Sequence, residues 1–325
     1  MGARILGTGR YAPSKVVSNF DLEKIVDTSD AWITERTGIK QRHVAADGEV
    51  TSDMAAAAGR NALQAAGLNV ADLDLIIVGT VTPDTPTPSC AVQVQQKLGA
   101  DEIPAFDISA ACAGFIYGVT IADQFIRTGK ARCVMVIGVE LLSRILNWGD
   151  RTTCVLFGDG AGAVVLGPGK NGAGILATQL FTDGSLAGAL HIPAGGSAEP
   201  HSADGIAGKR HKVHMSGGEV FKTAVKNLTA ASAAAVKASG LKSTDIDWVV
   251  AHQANMRILD QVATRLGFPL SKFVLNIEDY GNTSSASIPI ALDEAMRDGR
   301  IQPGMNILMC ALGAGISWGS AVVRM

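Results

Sequence analysis

An internal repeat at a constant offset constrains the fold of this chain more than any other feature. Residues 66–79 and residues 239–252 share one pattern. Each segment begins with a small residue followed by Gly and Leu, continues through a short polar loop, and ends in an apolar stretch. The interval from Gly67 to Gly240 is the same as the interval from Asp74 to Asp247. Each copy predicts a helix end, a glycine cap, a loop and a buried strand.

A second pair of segments repeats in the same order along the chain. Arg-Thr-Gly at 127–129 precedes the apolar run 133–138, and Arg-Asp-Gly at 297–299 precedes the apolar run 306–312, at nearly the same offset. Apolar runs without alternation are typical of sheets that are covered on both faces. The chain therefore predicts two duplicated βαβ-type halves, residues 1–170 and 171–325. The Gly-, Ser-, His- and Pro-rich residues 183–212 predict a flexible loop.

Composition excludes several classes of protein. The chain has 325 residues, 47% of them hydrophobic, and a formal net charge of −2, which argues against a nucleic-acid partner. Its five cysteines form no CxxC pair, so zinc and redox motifs have no support and reduced thiols in the cytoplasm are expected. The apolar run at the start is too short for a signal peptide, and no run reaches the length of a membrane span.

Cys112 is the first candidate catalytic residue. The apolar strand predicted over residues 104–109 leads into Ala-Ala-Cys-Ala-Gly-Phe, and apolar residues then recur at helical spacing up to Ile126. A thiol at the N-terminus of a helix meets unpaired N–H groups and the positive end of the dipole, which favour thiolate. The alternative is a buried structural cysteine, since free cysteine is often buried.

His252 and Asn282 are the other two candidates. His252 follows the apolar strand 248–250, and Asn282 lies in Gly-Asn-Thr-Ser. At the interval that separates Arg127 from Arg297, Asn282 corresponds to Cys112. Taken alone, each residue is better explained by a structural role: His252 as a hydrogen-bonded histidine, and Asn282 as a turn or helix-cap residue. As a set they predict a cysteine nucleophile that accepts an acyl group, with two N–H donors to a thioester oxygen.

The motifs that carry these residues resemble the thiolase superfamily and, more narrowly, the β-ketoacyl-[acyl-carrier-protein] synthase III family. They are Ala-Cys-Ala-Gly-Phe, His-Gln-Ala-Asn and Gly-Asn-Thr-Ser, and the similarity extends over the whole chain, through residues 30–39, 157–163 and 313–319. The third catalytic residue discriminates within the superfamily. Elongating synthases pair cysteine with two histidines and thiolases with histidine and a second cysteine, whereas this chain has Asn282.

The resemblance implies an α/β, thiolase-like fold in which duplicated halves form a five-layered αβαβα architecture. It implies that Cys112 takes an acyl primer from coenzyme A and that malonyl on acyl carrier protein then loses CO₂. His252 and Asn282 would stabilise the enolate that attacks the acyl-cysteine, and no metal or redox cofactor would be needed. The backbone N–H groups of Cys112 and Ala314 would form the first oxyanion hole, although the family more usually has glycine at position 314.

The resemblance also implies the binding residues. The positions that match those for coenzyme A and its pantetheine arm are Trp32, Arg36, Arg151, Met215, Gly217, Phe221 and Asn255. The basic positions that match those for the acidic acyl carrier protein are Lys222, Arg257 and Arg265. The family forms a homodimer; the strand near Cys133 and the loop 84–90 resemble its interface, and a residue at position 87 reaches into the partner's acyl pocket. The small Thr87 predicts a pocket that accepts medium or longer primers.

Two other functions remain open at this point. One is a same-fold acyltransferase or polyketide-starter enzyme that uses acyl-CoA, and the other is a non-catalytic module that binds coenzyme A or carrier protein. The presence of all three candidate catalytic residues favours condensation. A dinucleotide site at residues 158–162 is rejected because this glycine run precedes a strand, whereas a Rossmann turn follows one. The sequence does not specify the primer, the pathway or the organism.

Overall fold

The computed structural model describes residues 2–325 and contains thirteen strands and ten α-helices over that range. The strands are β1 (Ala3–Tyr11), β2 (Lys15–Ser18), β3 (Gln41–Val44), β4 (Leu75–Gly79), β5 (Ala105–Ile108), β6 (Val134–Glu140), β7 (Gly160–Pro168), β8 (Gly174–Thr182), β9 (Leu190–His191), β10 (His214–Met215), β11 (Trp248–Ala251), β12 (Asn306–Gly313) and β13 (Ser317–Arg324). The helices are α1 (Asn19–Leu22), α2 (Asp30–Thr37), α3 (Thr51–Ala66), α4 (Cys90–Leu98), α5 (Gly114–Arg127), α6 (Ala203–Ala207), α7 (Gly217–Ala238), α8 (Met256–Leu266), α9 (Ile277–Tyr280) and α10 (Ser287–Arg297).

Two main sheets contain most of the strands, and they follow one plan. The first has the order β1-β7-β6-β4-β5 and the second has the order β8-β13-β12-β11. In both, the first strand pairs antiparallel with the second, the second antiparallel with the third, and the third parallel with the fourth. Strands of the first sheet lie within residues 3–168 and strands of the second within residues 174–324.

Helices cover both faces of each sheet. Helices α5 and α10 lie between the sheets, α3 and α4 pack on the outer face of the first sheet, and α7 packs with α8 on the outer face of the second. The resulting order is helix, sheet, helix, sheet, helix. The expected five-layered thiolase-like fold is confirmed, and the buried central strands account for the apolar runs in the sequence.

The duplication extends to the turns that begin the two central helices. Ala111 and Ser284 both have a positive φ, 46° and 52°, and each starts a three-residue 3₁₀ turn that leads directly into α5 or α10. The interval between these two turns equals the one between Gly67 and Gly240, so the structural counterpart of Cys112 is Ser285. The expected correspondence of Cys112 with Asn282 is wrong. It was based on the interval from Arg127 to Arg297, which is shorter than the interval between the two turns.

A row of three glycines lets the central helices approach the first sheet at main-chain distance. Gly79, Gly138 and Gly162 are neighbours on β4, β6 and β7. A Cβ atom on Gly138 would lie 2.1 Å from the carbonyl oxygen of Ser285, and one on Gly79 would lie 2.8 Å from the carbonyl carbon of Gly114. The row therefore fixes the depth at which both 3₁₀ turns pack on the sheet.

Two local expectations differ from the structure. The segment 183–212, expected to be a flexible loop, contains a 3₁₀ stretch at Gly184–Ala189, strand β9 and helix α6, because Asp183 and Ser202 cap its turns. The strand after Cys133 is not an interface edge, since β6 is hydrogen-bonded on both sides. The first sheet instead ends at β5. Across residues 2–325, no helix is both long enough and apolar enough to span a bilayer.

Replacing Gly138 with alanine should destabilise the chain by about 1–3 kcal/mol or more, because the new methyl group would meet the main chain of Ser285 in a packed core. Chemical denaturation of both proteins measures this difference. The control is Gly196→Ala: its new Cβ atom meets nothing within 4 Å and its φ lies outside the left-handed region. Equal unfolding free energies for the two variants would contradict the proposed close approach.

Candidate active site

One large cavity of about 630 Å³ connects the candidate catalytic residues with the surface. Cys112 comes from the turn before α5, His252 from the end of β11, and Asn282 from the segment between α9 and α10. All three side chains line this main cavity. The main cavity is also lined by Trp32, Arg36, Arg151, Met215, Gly217, Phe221, Lys222, Asn255, Arg257 and Leu312.

Cys112 lies in the 3₁₀ turn 111–113, shortly before the first residue of α5. The end of β12 approaches this turn closely, since a Cβ atom on Gly313 would lie 2.6 Å from the backbone nitrogen of Cys112. Only 7% of the cysteine is exposed. The two halves of the chain therefore meet at the nucleophile, and glycine at position 313 makes room for it.

The buried position of Cys112 disfavours ionisation of its thiol. Burial raises its pKa to about 12, and the negative charge of Glu140 adds to that effect. The hydroxyl of Ser284 and the backbone of Cys112 act on this pKa in the opposite direction but more weakly than burial. Burial thus opposes the thiolate that the N-terminus of the helix favours.

The main chain around His252 is held on three sides. The His252 N–H donates to the carbonyl of Cys310 at 2.8 Å, which fastens the residue to β12. The side chain of Gln253 donates to the carbonyls of Ala251 and Val274 at 2.8 and 3.0 Å.

Burial lowers the pKa of His252 to about 3, so its imidazole is neutral at physiological pH. A neutral imidazole has one N–H to donate and one nitrogen to accept.

Asn282 is oriented by its own hydrogen bonds. Its N–H donates to the carbonyl of Leu156 at 2.8 Å, and its carbonyl accepts from the N–H of Gly158 at 3.0 Å. Its Oδ1 accepts the N–H of Ser284 at 2.9 Å. Because the amide oxygen is already used, the NH₂ group is the free end of the side chain. Asn282 therefore presents donors to the main cavity.

A second, smaller cavity of about 210 Å³ adjoins Cys112 and is almost wholly apolar. Its lining consists of Val81, Ala111, Cys112, Leu142, Ile145, Phe157, Leu190, His191, Ile192, Val213, Ser284 and Ala314. Ala314 begins the 3₁₀ turn 314–316, in which Gly315 takes the positive φ of 104°. Alanine at position 314 needs no left-handed backbone, so it fits a place where the family more usually has glycine.

The mouth of the main cavity carries two arginines against one aromatic ring. The guanidinium carbons of Arg36 and Arg151 lie 5.0 and 5.3 Å from the centre of the Trp32 ring. Asn255 links this cluster to α8, because its side chain donates to the carbonyl of Arg36 and accepts the N–H of Arg257. Such a cluster can hold a flat aromatic base and an adjacent anionic group.

The structure brings together most of the residues expected to bind substrates; the two exceptions are Arg265 and Thr87. Lys222 and Arg257 are exposed at the main cavity, and Arg257 lies 5.8 Å from the ring of Phe221. Arg265 is exposed further along α8 and does not line the main cavity. Thr87 is exposed in the loop before α4 and lines neither cavity. A role for Thr87 therefore requires a second subunit.

Comparison with known proteins decides the family. The family profile described as 3-oxoacyl-[acyl-carrier-protein] synthase III matches residues 106–184, and the profile for the C-terminal part matches residues 236–325. The β-ketoacyl-[acyl-carrier-protein] synthase III of Paramagnetospirillum magneticum is 51% identical over 99% of both chains. That of Caldanaerobacter subterraneus is 52% identical, over 100% of this chain and 98% of its own. The chain belongs to the β-ketoacyl-[acyl-carrier-protein] synthase III family.

A solved structure agrees with this family assignment. The crystal structure of 3-oxoacyl-[acyl-carrier-protein] synthase III from Aquifex aeolicus matches with a TM-score of 0.93 and 48% identity over the whole of both chains. The chain is accordingly a condensing acyltransferase of fatty-acid synthesis with the thiolase-like fold. Among residues 2–325 of this synthase III family member, no three His, Cys, Asp or Glu side chains are placed to hold a metal ion.

Sequence reasoning missed the buried polar residues that support the catalytic set of this synthase. Glu140, the last residue of β6, is fully buried and accepts the hydroxyl of Thr82 at 2.7 Å and that of Ser284 at 3.2 Å. Ser287, the first residue of α10, contacts His252 at 2.8 Å. A glutamate that ends an apolar strand was the one available signal, since buried carboxylates are rare without a partner.

Replacing Glu140 with glutamine should remove a pH dependence of stability in this synthase. Burial raises the pKa of Glu140 to about 7, so the folded chain keeps a proton that the unfolded chain loses near the ordinary value of 4.5. The stability that this proton confers is complete below the unfolded pKa and is lost as the pH rises through about 7, roughly 3 kcal/mol in all. Unfolding free energies measured across that interval should therefore fall less in Glu140→Gln than in the natural chain.

His252 is unchanged in both proteins, so its own titration cancels in the comparison. Identical pH profiles for the two proteins would show that Glu140 ionises near its ordinary pKa and that burial does not govern this carboxyl group.

Proposed function

We propose that this chain condenses an acyl-CoA primer with malonyl-acyl carrier protein to give 3-oxoacyl-acyl carrier protein, coenzyme A and CO₂. The observation that carries the proposal is the meeting of Cys112, His252 and Asn282 in one cavity that opens at the Trp32 cluster. Family membership supports the reaction class, and the geometry supports the role of each residue. The thioester itself stabilises the carbanion, so the proposed chemistry uses no metal or redox cofactor.

The first half-reaction loads the primer. Trp32, Arg36 and Arg151 would hold the adenine and phosphates, while Met215, Gly217, Phe221 and Asn255 line the way for the pantetheine arm. The sulfur of Cys112 forms a bond to the acyl carbon, the bond from that carbon to the sulfur of coenzyme A breaks, and the proton of the cysteine ends on coenzyme A. The N–H groups of Cys112 and Ala314 would stabilise the oxyanion.

The second half-reaction consumes the malonyl group. Its C–C bond to the carboxylate breaks, CO₂ leaves, and the electron pair forms an enolate whose oxygen accepts hydrogen bonds from His252 and Asn282. The enolate carbon then attacks the acyl carbon on Cys112, the bond from that carbon to the cysteine sulfur breaks, and the sulfur leaves as thiolate and takes up a proton from solvent. Both donors are neutral and desolvated, which strengthens a hydrogen bond to a developing negative charge.

The remaining parts of the proposal concern partners and organisation. Lys222, Arg257 and Arg265 are exposed cations that suit an acidic carrier protein. We also propose a cytoplasmic homodimer, formed through the half-buried free edge of β5, which offers unpaired N–H and C=O groups to a second copy. Residues 1–170 and 171–325 would be its two duplicated units, the first with the nucleophile and the second with the two donors.

Three substitutions test the division of roles. Cys112→Ser should abolish acylation by acyl-CoA, because a serine hydroxyl is much less acidic than a thiol and is the weaker nucleophile. His252→Ala and Asn282→Ala should leave most of the acylation but slow CO₂ release by about 10²–10³ each, since each removes one donor to the second oxyanion. Intact-protein mass spectrometry measures acylation, and labelled CO₂ from malonyl-acyl carrier protein measures decarboxylation.

The matched control is Cys133→Ser, because Cys133 has the same 7% exposure as Cys112 but lines neither cavity. Normal acylation of Cys112→Ser would overturn the nucleophile. Full loss of acylation with normal CO₂ release in the other two variants would reverse the assigned roles. Acyl transfer without any CO₂ release in the natural chain would favour a starter acyltransferase.

Primer length tests the proposed role of Thr87. In a homodimer this small side chain would face the partner's acyl pocket, which in each chain begins with the small apolar cavity beside Cys112. Each buried CH₂ group contributes up to about 0.8 kcal/mol, so kcat/KM should rise with primer length until the pocket is full. Acetyl-, octanoyl- and dodecanoyl-CoA should be compared in the natural chain and in Thr87→Phe, which should lose the long primers. A strict acetyl preference in the natural chain would refute this role.

A further inference from the structure

The proposed function requires one particular tautomer of His252. A neutral imidazole holds a single hydrogen, on either Nδ1 or Nε2. Nδ1 is engaged inside the protein, 2.8 Å from the hydroxyl oxygen of Ser287, so only Nε2 is free to donate to an enolate. If the hydrogen were on Nδ1, the ring would present a lone pair to the enolate and would repel it. Something in the fold must therefore keep the hydrogen on Nε2.

The contacts of Ser287 determine which atom accepts its hydroxyl hydrogen. Its oxygen accepts the N–H of Gln253 at 2.9 Å. The residue is 2% exposed, so water does not take the remaining hydrogen. Within residues 2–325, Nδ1 of His252 is the one acceptor at hydrogen-bond distance from this hydroxyl. If Nδ1 carried a hydrogen, the O–H of Ser287 would be buried without an acceptor, which is costly.

We propose that Ser287 is a positioning residue that sets the tautomer of His252, by donating its hydroxyl hydrogen to Nδ1 and so holding the ring hydrogen on Nε2. The inference rests on the proposed role of His252 as a donor to the enolate. Ser287 itself lines neither the main cavity nor the apolar cavity beside Cys112. It acts only through the imidazole, and it makes the histidine a donor before the substrate arrives.

The surrounding structure keeps this contact in place. Ser287 is the first residue of α10, which packs against the first sheet at the glycine row, and His252 is fastened to β12 in the second sheet. The N–H of Gln253, next to His252, binds the same hydroxyl, so ring and hydroxyl cannot separate without losing two hydrogen bonds. Asn282 lies shortly before Ser287 in the chain, and one short segment thereby orients both donors.

Nuclear magnetic resonance of the full-length protein labelled with ¹⁵N-histidine tests the tautomer directly. The chain has six histidines, and His252→Gln identifies the signal of His252. In the natural chain at neutral pH we expect Nε2 to have the shift of a protonated nitrogen and Nδ1 that of an acceptor. A protonated Nδ1 in the natural chain would overturn the inference, whatever the variants do.

Kinetics of Ser287→Ala tests the consequence. CO₂ release from malonyl-acyl carrier protein should fall by at least about 10-fold, but by no more than the 10²–10³ or so expected for loss of the whole donor in His252→Ala. Acylation of Cys112 should change by less than about 2-fold, because the first oxyanion hole uses other groups. Ser287→Thr retains a hydroxyl and should recover part of the lost CO₂ release. The ¹⁵N spectrum of Ser287→Ala should show Nδ1 protonated in a part of the molecules.

Ser320→Ala is the matched control, since Ser320 is a fully buried serine whose hydroxyl donates to the carbonyl of Ala231, away from both cavities. If Ser287→Ala slows acylation and CO₂ release equally, Ser287 is merely structural and the inference fails. If His252→Ala slows CO₂ release while Ser287→Ala does not, the tautomer inference fails alone. If His252→Ala itself releases CO₂ normally, the proposed function of His252 fails. Should Ser287→Ala not fold, the spectrum of the natural chain decides.

Discussion

The main-chain contact between Gly138 and Ser285 is the constraint on which the rest of this structure depends. At this contact, and at the neighbouring glycines of the same row, the first sheet meets the starts of two central helices with no side chain between them. The depth of α5 determines where Cys112 lies, and the depth of α10 determines where Asn282 and Ser287 lie. A packed interior transmits small shifts rather than absorbing them, so the distances within the active site are set in the sheet.

Desolvation is the second principle that organises the site. It raises the pKa values of Cys112 and Glu140 and lowers that of His252, in each case as the largest cause. In such surroundings a polar group is oriented by the partners that it already has. The amide oxygen of Asn282 is occupied by Ser284, and the hydroxyl of Ser287 has accepted the N–H of Gln253. What remains in each case is a donor: the NH₂ group of Asn282 for the main cavity, and the hydroxyl hydrogen of Ser287 for Nδ1 of His252.

The sequence predicted the fold and the assembly of the site better than it predicted their finer details. The repeated segments indicated duplicated halves because each copy keeps the same cap, loop and apolar strand. The motifs around Cys112, His252 and Asn282 located side chains that share one cavity. The sequence did not reveal that Ser285 is the counterpart of Cys112, since that depends on the matching φ values of Ala111 and Ser284. The raised pKa of the Cys112 thiol also depends on burial, which residue types do not report.

The two-stranded unit of β9 and β10 gives the site a shared wall. Leu190 of β9 lines both cavities, with the wide passage on one side and the apolar pocket on the other. Leu190 and Phe157, which also lines both cavities, thereby set the width of two compartments that would serve different substrates in turn. Substitutions that widen the pocket for a bulkier primer at Leu190 also widen the passage for the carrier's arm. Selectivity for the first substrate and the fit of the second are coupled at Leu190, and variants made to separate them should change Ile145 or Val213, which border the pocket alone.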